Sequence, residues 1–186
     1  ACERHLRDLA EADARALVWK PANAEAALVF FEEVMHLDEG KKFKLDDWQA
    51  FIIGSLFGWY GADGSRRFHT AYIEIGKGNG KTPLAAGIGL YGLVVDKENA
   101  PEIYSAAVSA DQAQMCFKDA SRIVDLSPEL RRKLRVQVSG IIAPAPRYGV
   151  FRALSSEHKS LDGKRVHFAI VDELHEHPND LVVDKI

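Results

Sequence analysis

Ile73-Glu74-Ile75-Gly76-Lys77-Gly78-Asn79-Gly80-Lys81-Thr82 decides the fold. The stretch runs from β-favouring residues through a glycine-rich turn into Gly-Lys-Thr. A run of small residues, Thr82 to Val95, then reads as a helix. Strand, pliable loop and helix, in that order, are what phosphate binding requires. Glycines let backbone N–H groups turn inward around phosphate oxygens. The N-terminus of the following helix adds partial positive charge and donors without helical partners. In such a loop Lys81 reaches the β- and γ-phosphates of a nucleotide, and the Thr82 hydroxyl ligates Mg²⁺. Pro83 suits the first helical turn, where a missing N–H costs nothing. One position departs from the pattern G-x-x-x-x-G-K-[ST], which asks for Gly where Ile75 stands. A glycine-rich hairpin with an incidental Lys-Thr is the plain alternative, and the strand–loop–helix context weighs against it.

Upstream, the first 60 or so residues read as helical. Glu25 to Met35 carries Ala27, Leu28, Phe30, Phe31, Val34 and Met35. After the polar hinge Asp38-Glu39-Gly40-Lys41-Lys42, Asp46 to Tyr60 places Trp48, Phe51, Ile52, Leu56 and Trp59 three and four residues apart. Asp46 or Asp47 can cap that helix. Phe68 to Ile75 reads as the strand that feeds the loop. Downstream, strands are expected at Ile103–Val108, Leu134–Val138, Gly149–Leu154 and Val166–Val171, with a helix from about Asp111 to Leu126. Strands alternating with helices, some apolar on both faces, predict an α/β fold with a mostly parallel sheet flanked by helices. The expected division is a helical segment over 1–62 packed on a P-loop core over 63–186.

The second chemical feature is Phe168-Ala169-Ile170-Val171-Asp172-Glu173, an apolar strand that ends in two carboxylates. In P-loop ATPases of the RecA-like class this is the Walker B arrangement. The strand carries Asp172 to the sheet edge beside the phosphate loop, to hold Mg²⁺ through water. Glu173 orients or deprotonates the water that attacks the γ-phosphate. Alone, such a strand end is common and reads as a solvated acidic turn. About ninety residues after Lys81, with strands between, it becomes specific.

Composition narrows the setting. The 186 residues suffice for one compact domain with a sizeable core. A formal net charge of -3 gives no global basic excess, so any nucleic-acid contact must come from a local patch. Cys2 and Cys116 have no metal-ligand spacing, and a reducing compartment fits them. No apolar run approaches the ~20 residues of a membrane span. His175 and His177, with Glu173 and Glu176, lack zinc-site spacing.

Leu161-Asp162-Gly163 and His167-Phe168-Ala169-Ile170-Val171-Asp172-Glu173-Leu174-His175 resemble the Walker B region of the large terminases of tailed phages. Gly76-Lys77-Gly78-Asn79-Gly80-Lys81-Thr82 resembles that family's deviant Walker A loop, which often lacks the first glycine. Lys77 occupies its basic position, four places before the lysine. Ser105-Ala106-Ala107 with Asp111-Gln112-Ala113 resembles the strand and helix that follow. Leu45-Asp46-Asp47-Trp48-Gln49 resembles the upstream segment where an aromatic residue and Gln approach adenine.

The resemblance implies a Mg²⁺-dependent ATPase motor that pumps double-stranded DNA into a procapsid in the cytoplasm of a bacterial host. Implied partners are a portal protein, a small terminase subunit and copies of the chain in a ring. It implies catalytic roles for Glu173, Lys81 and Lys77. Gly76 to Thr82 with Trp48 and Gln49 would contact the nucleotide, and Thr82 with Asp172 the metal. Only thirteen residues follow Glu173, so the family's coupling motif and nuclease domain are expected beyond Ile186, and turnover by this chain alone is in question.

Several residues keep two readings. Trp48 is either an adenine platform or core, and Gln49 either a base contact or a surface neighbour. Lys77 is either a γ-phosphate contact or a solvated loop lysine. Arg131, Arg132, Lys133 and Arg135 either touch DNA phosphates or form a solvated helix end. Arg147, Arg152, Lys159, Lys164 and Arg165 are candidates for DNA contact or for an arginine finger. Two rival functions stand beside the motor. One is a helicase-type ATPase, because Asp172-Glu173-Leu174-His175 spells a D-E-x-H box. The other is a nucleotide-binding fragment without turnover.

Overall fold

The computed structural model describes residues 1–107, 110–155 and 165–172. In chain order these form α1 (Cys2–Ala10), β1 (Leu17–Trp19), α2 (Pro21–Val29), β2 (His36–Asp38), β3 (Lys41–Lys42), α3 (Asp47–Gly58) and β4 (Trp59–Gly61). Then follow α4 (Lys81–Val94), β5 (Glu102–Ala107), α5 (Ala110–Leu126), α6 (Pro128–Lys133), β6 (Arg135–Gln137), β7 (Gly140–Ala143), β8 (Gly149–Ser155) and β9 (Val166–Val171). The chain divides into two compact units, one of 1–33 with 43–77, the other of 34–42 with 78–186.

The first unit is built on α2 and α3. Pro21 opens α2 at a position that needs no N–H, and the helix runs on into a π-helical turn over Phe30–Val34. The expected helix at Glu25 therefore begins four residues earlier. Helix α3 starts where expected, because Asp46 and Gln49 form a capping box. Its inward stripe differs from the expected one. Of the expected residues only Trp59 is buried; Trp48, Phe51, Ile52 and Leu56 are half-buried, and Gln49, Ile53 and Phe57 are buried instead. Apolar residues surround almost the whole helix, so three-and-four spacing fits either stripe, and the capping box draws Gln49 inward. Strands β1 and β4 pair antiparallel, with Trp19 opposite Trp59. The Trp19 ring lies on Gly58, where a Cβ would stand 2.3 Å from it. Trp59 Nε1 donates to His5 Nδ1 at 2.9 Å. Asp8 on α1 is fully buried and is held by Arg67 and by Arg15, the latter at 2.9 Å.

Phe68 to Gly76 forms no strand, against expectation. The residues have the right composition, but a strand exists only through a neighbour's ladder hydrogen bonds, and none is formed there among the described residues. Tyr72 is 72% exposed, while Ile73 and Ile75 are half-buried.

The second unit carries a five-stranded sheet of order β6-β7-β8-β5-β9. Strands β8, β5 and β9 are parallel. The β6–β7 hairpin joins β8 antiparallel, so among the described residues the sheet is mixed: antiparallel from β6 to β8 and parallel from β8 to β9. Strand β7 went unread because Gly140-Ile141-Ile142-Ala143 is too short to show a period. Helices α4 and α5 pack on one face over Ile103 and Phe151, both fully buried. Helix α4 lies close because glycines face the sheet. A Cβ at Gly89 would meet Phe151, Ile170 and Ile103 at 2.7, 3.0 and 3.2 Å, and one at Gly92 would meet the Phe168 ring at 2.5 Å. Among the described residues no helix is long and apolar enough to cross a membrane.

Candidate nucleotide site

The turn from Gly76 to Gly80 leads directly into α4. Gly78 and Gly80 take φ values of +86° and +71°, the left-handed region that side chains avoid. Gly80 is the N-cap of α4, and Leu84 N–H donates to its carbonyl at 3.1 Å. The N–H groups of Lys81 and Thr82 precede that first bond of the helix. No side chain caps this end and no acidic residue occupies its first turn. The helix terminus thus retains its positive partial charge, a setting for an anion. Gly76, Lys77, Gly78 and Asn79 are exposed, and Gly80, Lys81 and Thr82 are half-buried.

Strand β9 delivers Asp172 to the end of the sheet. Asp172 N–H donates to Ala106 O at 3.3 Å, continuing the register of β9 on β5 by one residue. Its carboxylate then meets the first turn of α4: Thr82 Oγ1 lies 3.5 Å from Asp172 Oδ2 across 90 residues of sequence. A hydroxyl and a carboxylate are hard oxygen donors of the kind Mg²⁺ takes. Neighbouring oxygens around that ion stand about 2.9 Å apart, so a slight closure or an intervening water fits the pair to it. Burial raises the Asp119 carboxyl on α5, Arg122 lowers it, and the Asp172 charge raises it further. Burial also pushes up the Cys116 thiol, and Asp172 and Asp119 add to that rise.

The remaining candidates fall in several places. Gln49 is only 4% exposed, and its Oε1 accepts from Asp46 N–H at 2.9 Å, so the alternative of a surface neighbour does not hold. Trp48 is half-buried near the start of α3. Arg147 turns its guanidinium onto the last carbonyls of α4, Leu93 O at 2.9 Å and Gly92 O at 3.1 Å. Arg135 likewise donates to the Arg131 and Leu134 carbonyls at the end of α6, where Arg131, Arg132 and Lys133 are exposed. Arg152 is exposed on β8, and Arg165 reaches Glu98 at 3.8 Å. Glu173, Lys159, Lys164, Leu161-Asp162-Gly163, His175, Glu176 and His177 lie outside the described residues. Sequence reasoning missed Asp96 and Asp119, which lie on no motif, and the pairing of His167 with Asp96 at 2.6 Å.

The profile of the family described as terminase large subunit, ATPase domain, matches residues 47–186. The chain is 31% identical over 170 residues to the terminase large subunit of Enterobacteria phage HK97, covering 87% of this chain and 33% of that protein. It is similar in structure to the crystal structure of the HK97 bacteriophage large terminase, with a TM-score of 0.73 and 30% identity over 87% of this chain and 33% of that one. The chain therefore spans about a third of the length of the relatives it matches. These likenesses carry the P-loop fold and do not favour a helicase.

Proposed function

The chain belongs to the family of terminase large subunit ATPase domains, and from that premise we propose that it is the nucleotide-binding part of a motor that hydrolyses ATP to drive double-stranded DNA into a procapsid. The observation that carries the site is the 3.5 Å approach of Thr82 to Asp172, the residue after the glycine-rich loop meeting the acidic end of an apolar strand.

In this reading the backbone N–H groups of Gly76 to Thr82 cradle the phosphates, and Lys81 neutralises charge on the β- and γ-phosphates. Lys77 adds a second cation at the γ-phosphate. Thr82 and Asp172 would hold Mg²⁺, which when bound offsets phosphate charge. Glu173, directly after Asp172, orients the attacking water and takes its proton. Trp48 offers a face for adenine. Gln49, whose Oε1 is engaged by the helix cap, is the second residue assigned to the base in this reading. The motor reading brings with it a portal protein, a small terminase subunit, further copies of the chain in a ring, and action in the host cytoplasm.

Calorimetric titration of Mg-ATP tests the site. The wild-type chain is expected to bind, Lys81→Ala to lose at least about tenfold in affinity through its missing charged contacts, and Glu173→Gln to keep binding. Equal affinity for wild type and Lys81→Ala would remove the phosphate loop from the site.

A further inference from the structure

At the end of α4 remote from the phosphate loop, Asp96 Oδ2 lies 2.6 Å from His167 Nε2, and both side chains are 17% exposed. Sheltered hydrogen bonds to a carboxylate are short and strong. The His167 ring stacks on Phe168 with centroids 4.4 Å apart and planes 14° from parallel. Phe168 in turn presses on α4 where Gly92 leaves room. Successive residues of a strand normally point to opposite faces. Here the β5–β9 register slips by one residue, with Glu102 opposite Val166 and Ile103 opposite Phe168, so His167 is the extra residue. Such a slip re-aims a side chain at the expense of ladder bonding, and it lets His167 and Phe168 both reach α4.

The geometry points to His167 and Asp96 as a positioning pair, a second brace that keeps the phosphate-loop helix aligned on the Asp172 strand so that Thr82 and Asp172 hold their separation. Helix α4 runs away from the site while β9 runs toward it, so the two elements meet at both ends: Thr82 with Asp172, and Asp96 with His167. Between these ends Gly89 seats the helix on Ile103, Phe151 and Ile170. Gly89 lies seven residues from both Thr82 and Asp96, which makes two arms of about 10 Å at 1.5 Å per residue. With Gly89 as pivot, a shift of about 1 Å at the Asp96 end becomes a similar shift at Thr82, and misplacement on that scale degrades ligand geometry.

This inference rests on the nucleotide-site reading, and the test separates the two. Binding of a fluorescent ATP analogue is measured with and without Mg²⁺ for wild type, His167→Ala, His167→Gln and Asp96→Asn, each also in a Thr82→Val background. His167→Ala and Asp96→Asn are expected to reduce the Mg²⁺-dependent gain in affinity about five- to tenfold, within the usual range of coupling between sites, with metal-free affinity changed less than about twofold. His167→Gln, whose amide nitrogen can take the Nε2 position, restores the gain. In the Thr82→Val background, His167→Ala adds nothing. An unchanged Mg²⁺ gain in both brace variants overturns the proposal, as does an equal loss with and without Mg²⁺. If His167→Ala fails to fold, Asp96→Asn decides alone, and an unchanged Mg²⁺ gain in it overturns the proposal. Failure of the wild type to bind nucleotide sinks the site reading and the brace together, whereas normal wild-type binding with indifferent variants sinks only the brace.

Discussion

Two interior helix glycines should answer the same substitution with opposite signs. Replacing Gly with Ala inside a helix gains about 0.8–1 kcal/mol of propensity. At Gly54 in α3 nothing lies within 4 Å of the new methyl, so Gly54→Ala should stabilise by about 0.5–1 kcal/mol. At Gly89 in α4 the same carbon would stand 2.7 Å from Phe151, 3.0 Å from Ile170 and 3.2 Å from Ile103. Carbon pairs prefer about 3.5–4.0 Å, and the obstruction comes from three adjacent strands, so no single side chain can relieve it by rotating. Overpacking of this kind costs about 1–3 kcal/mol. After the propensity gain, Gly89→Ala should lose about 0–2 kcal/mol. Urea denaturation measures both. The three tryptophans, Trp19, Trp48 and Trp59, all lie in the first unit, so their fluorescence follows Gly54→Ala. Far-ultraviolet circular dichroism follows Gly89→Ala. Because Gly89 seats α4, its variant should also weaken Mg-nucleotide binding. Midpoints that move in the same direction by equal amounts would refute the close-packing argument.

Three further outcomes follow from charges and thiols. Burial opposes ionisation of Asp8, but the Arg67 hydrogen bond and the charges of Arg67, Arg15 and Arg4 outweigh it and hold the carboxyl below its ordinary range. A carboxyl depressed in the fold contributes stability above its unfolded value of about 3.9 and loses it as pH falls through the folded value. Asp8→Asn should therefore cost about 3–5 kcal/mol near neutrality, with the gap to wild type closing below about pH 4 in acid denaturation series; a gap independent of pH would contradict the ion-pair account. Arg147→Ala removes two charged donors from the carbonyls at the end of α4 and should lower stability by about 1–3 kcal/mol, read as a fall in urea midpoint. Cys2 is exposed, while Cys116 is 1% exposed with its thiol pushed up by burial. A thiol reagent should thus titrate one cysteine in the native chain and two in denaturant, and two native equivalents would place Cys116 wrongly.

What could be read from the sequence was largely what neighbouring residues decide among themselves. The start of α3 was legible because Asp46 and Gln49 satisfy each other's backbone within one turn. The start of α4 was legible because two glycines, a Lys-Thr pair and Pro83 all agree on a helix N-terminus. Strand β9 was legible to the residue, being apolar except for His167 and bounded by charge. The failures involve partners distant in sequence. Phe68 to Ile75 has a strand's composition without a strand's neighbour among the described residues, and β7 is a strand only because β6 and β8 flank it. The inward face of α3 could not be chosen, since an almost wholly apolar helix offers two stripes and tertiary packing selects one.

The same division runs through the candidate site. Phosphate binding constrains consecutive backbone N–H groups, so its residues must be contiguous, and a contiguous pattern can be recognised in one sequence. Carrying Asp172 to the end of the sheet needs only that β9 run parallel to β5, which an apolar strand in an α/β alternation already suggests. The supports at the far end of α4 obey no such rule. Any donor that reaches the last carbonyls can do what Arg147 does, and any sheltered donor facing Asp96 can do what His167 does. Partners 54 and 71 residues apart, interchangeable in type, leave no spacing to find. The groups that hold α4 in place therefore become visible only in the folded chain, although the separation of Thr82 and Asp172 depends on where that helix lies.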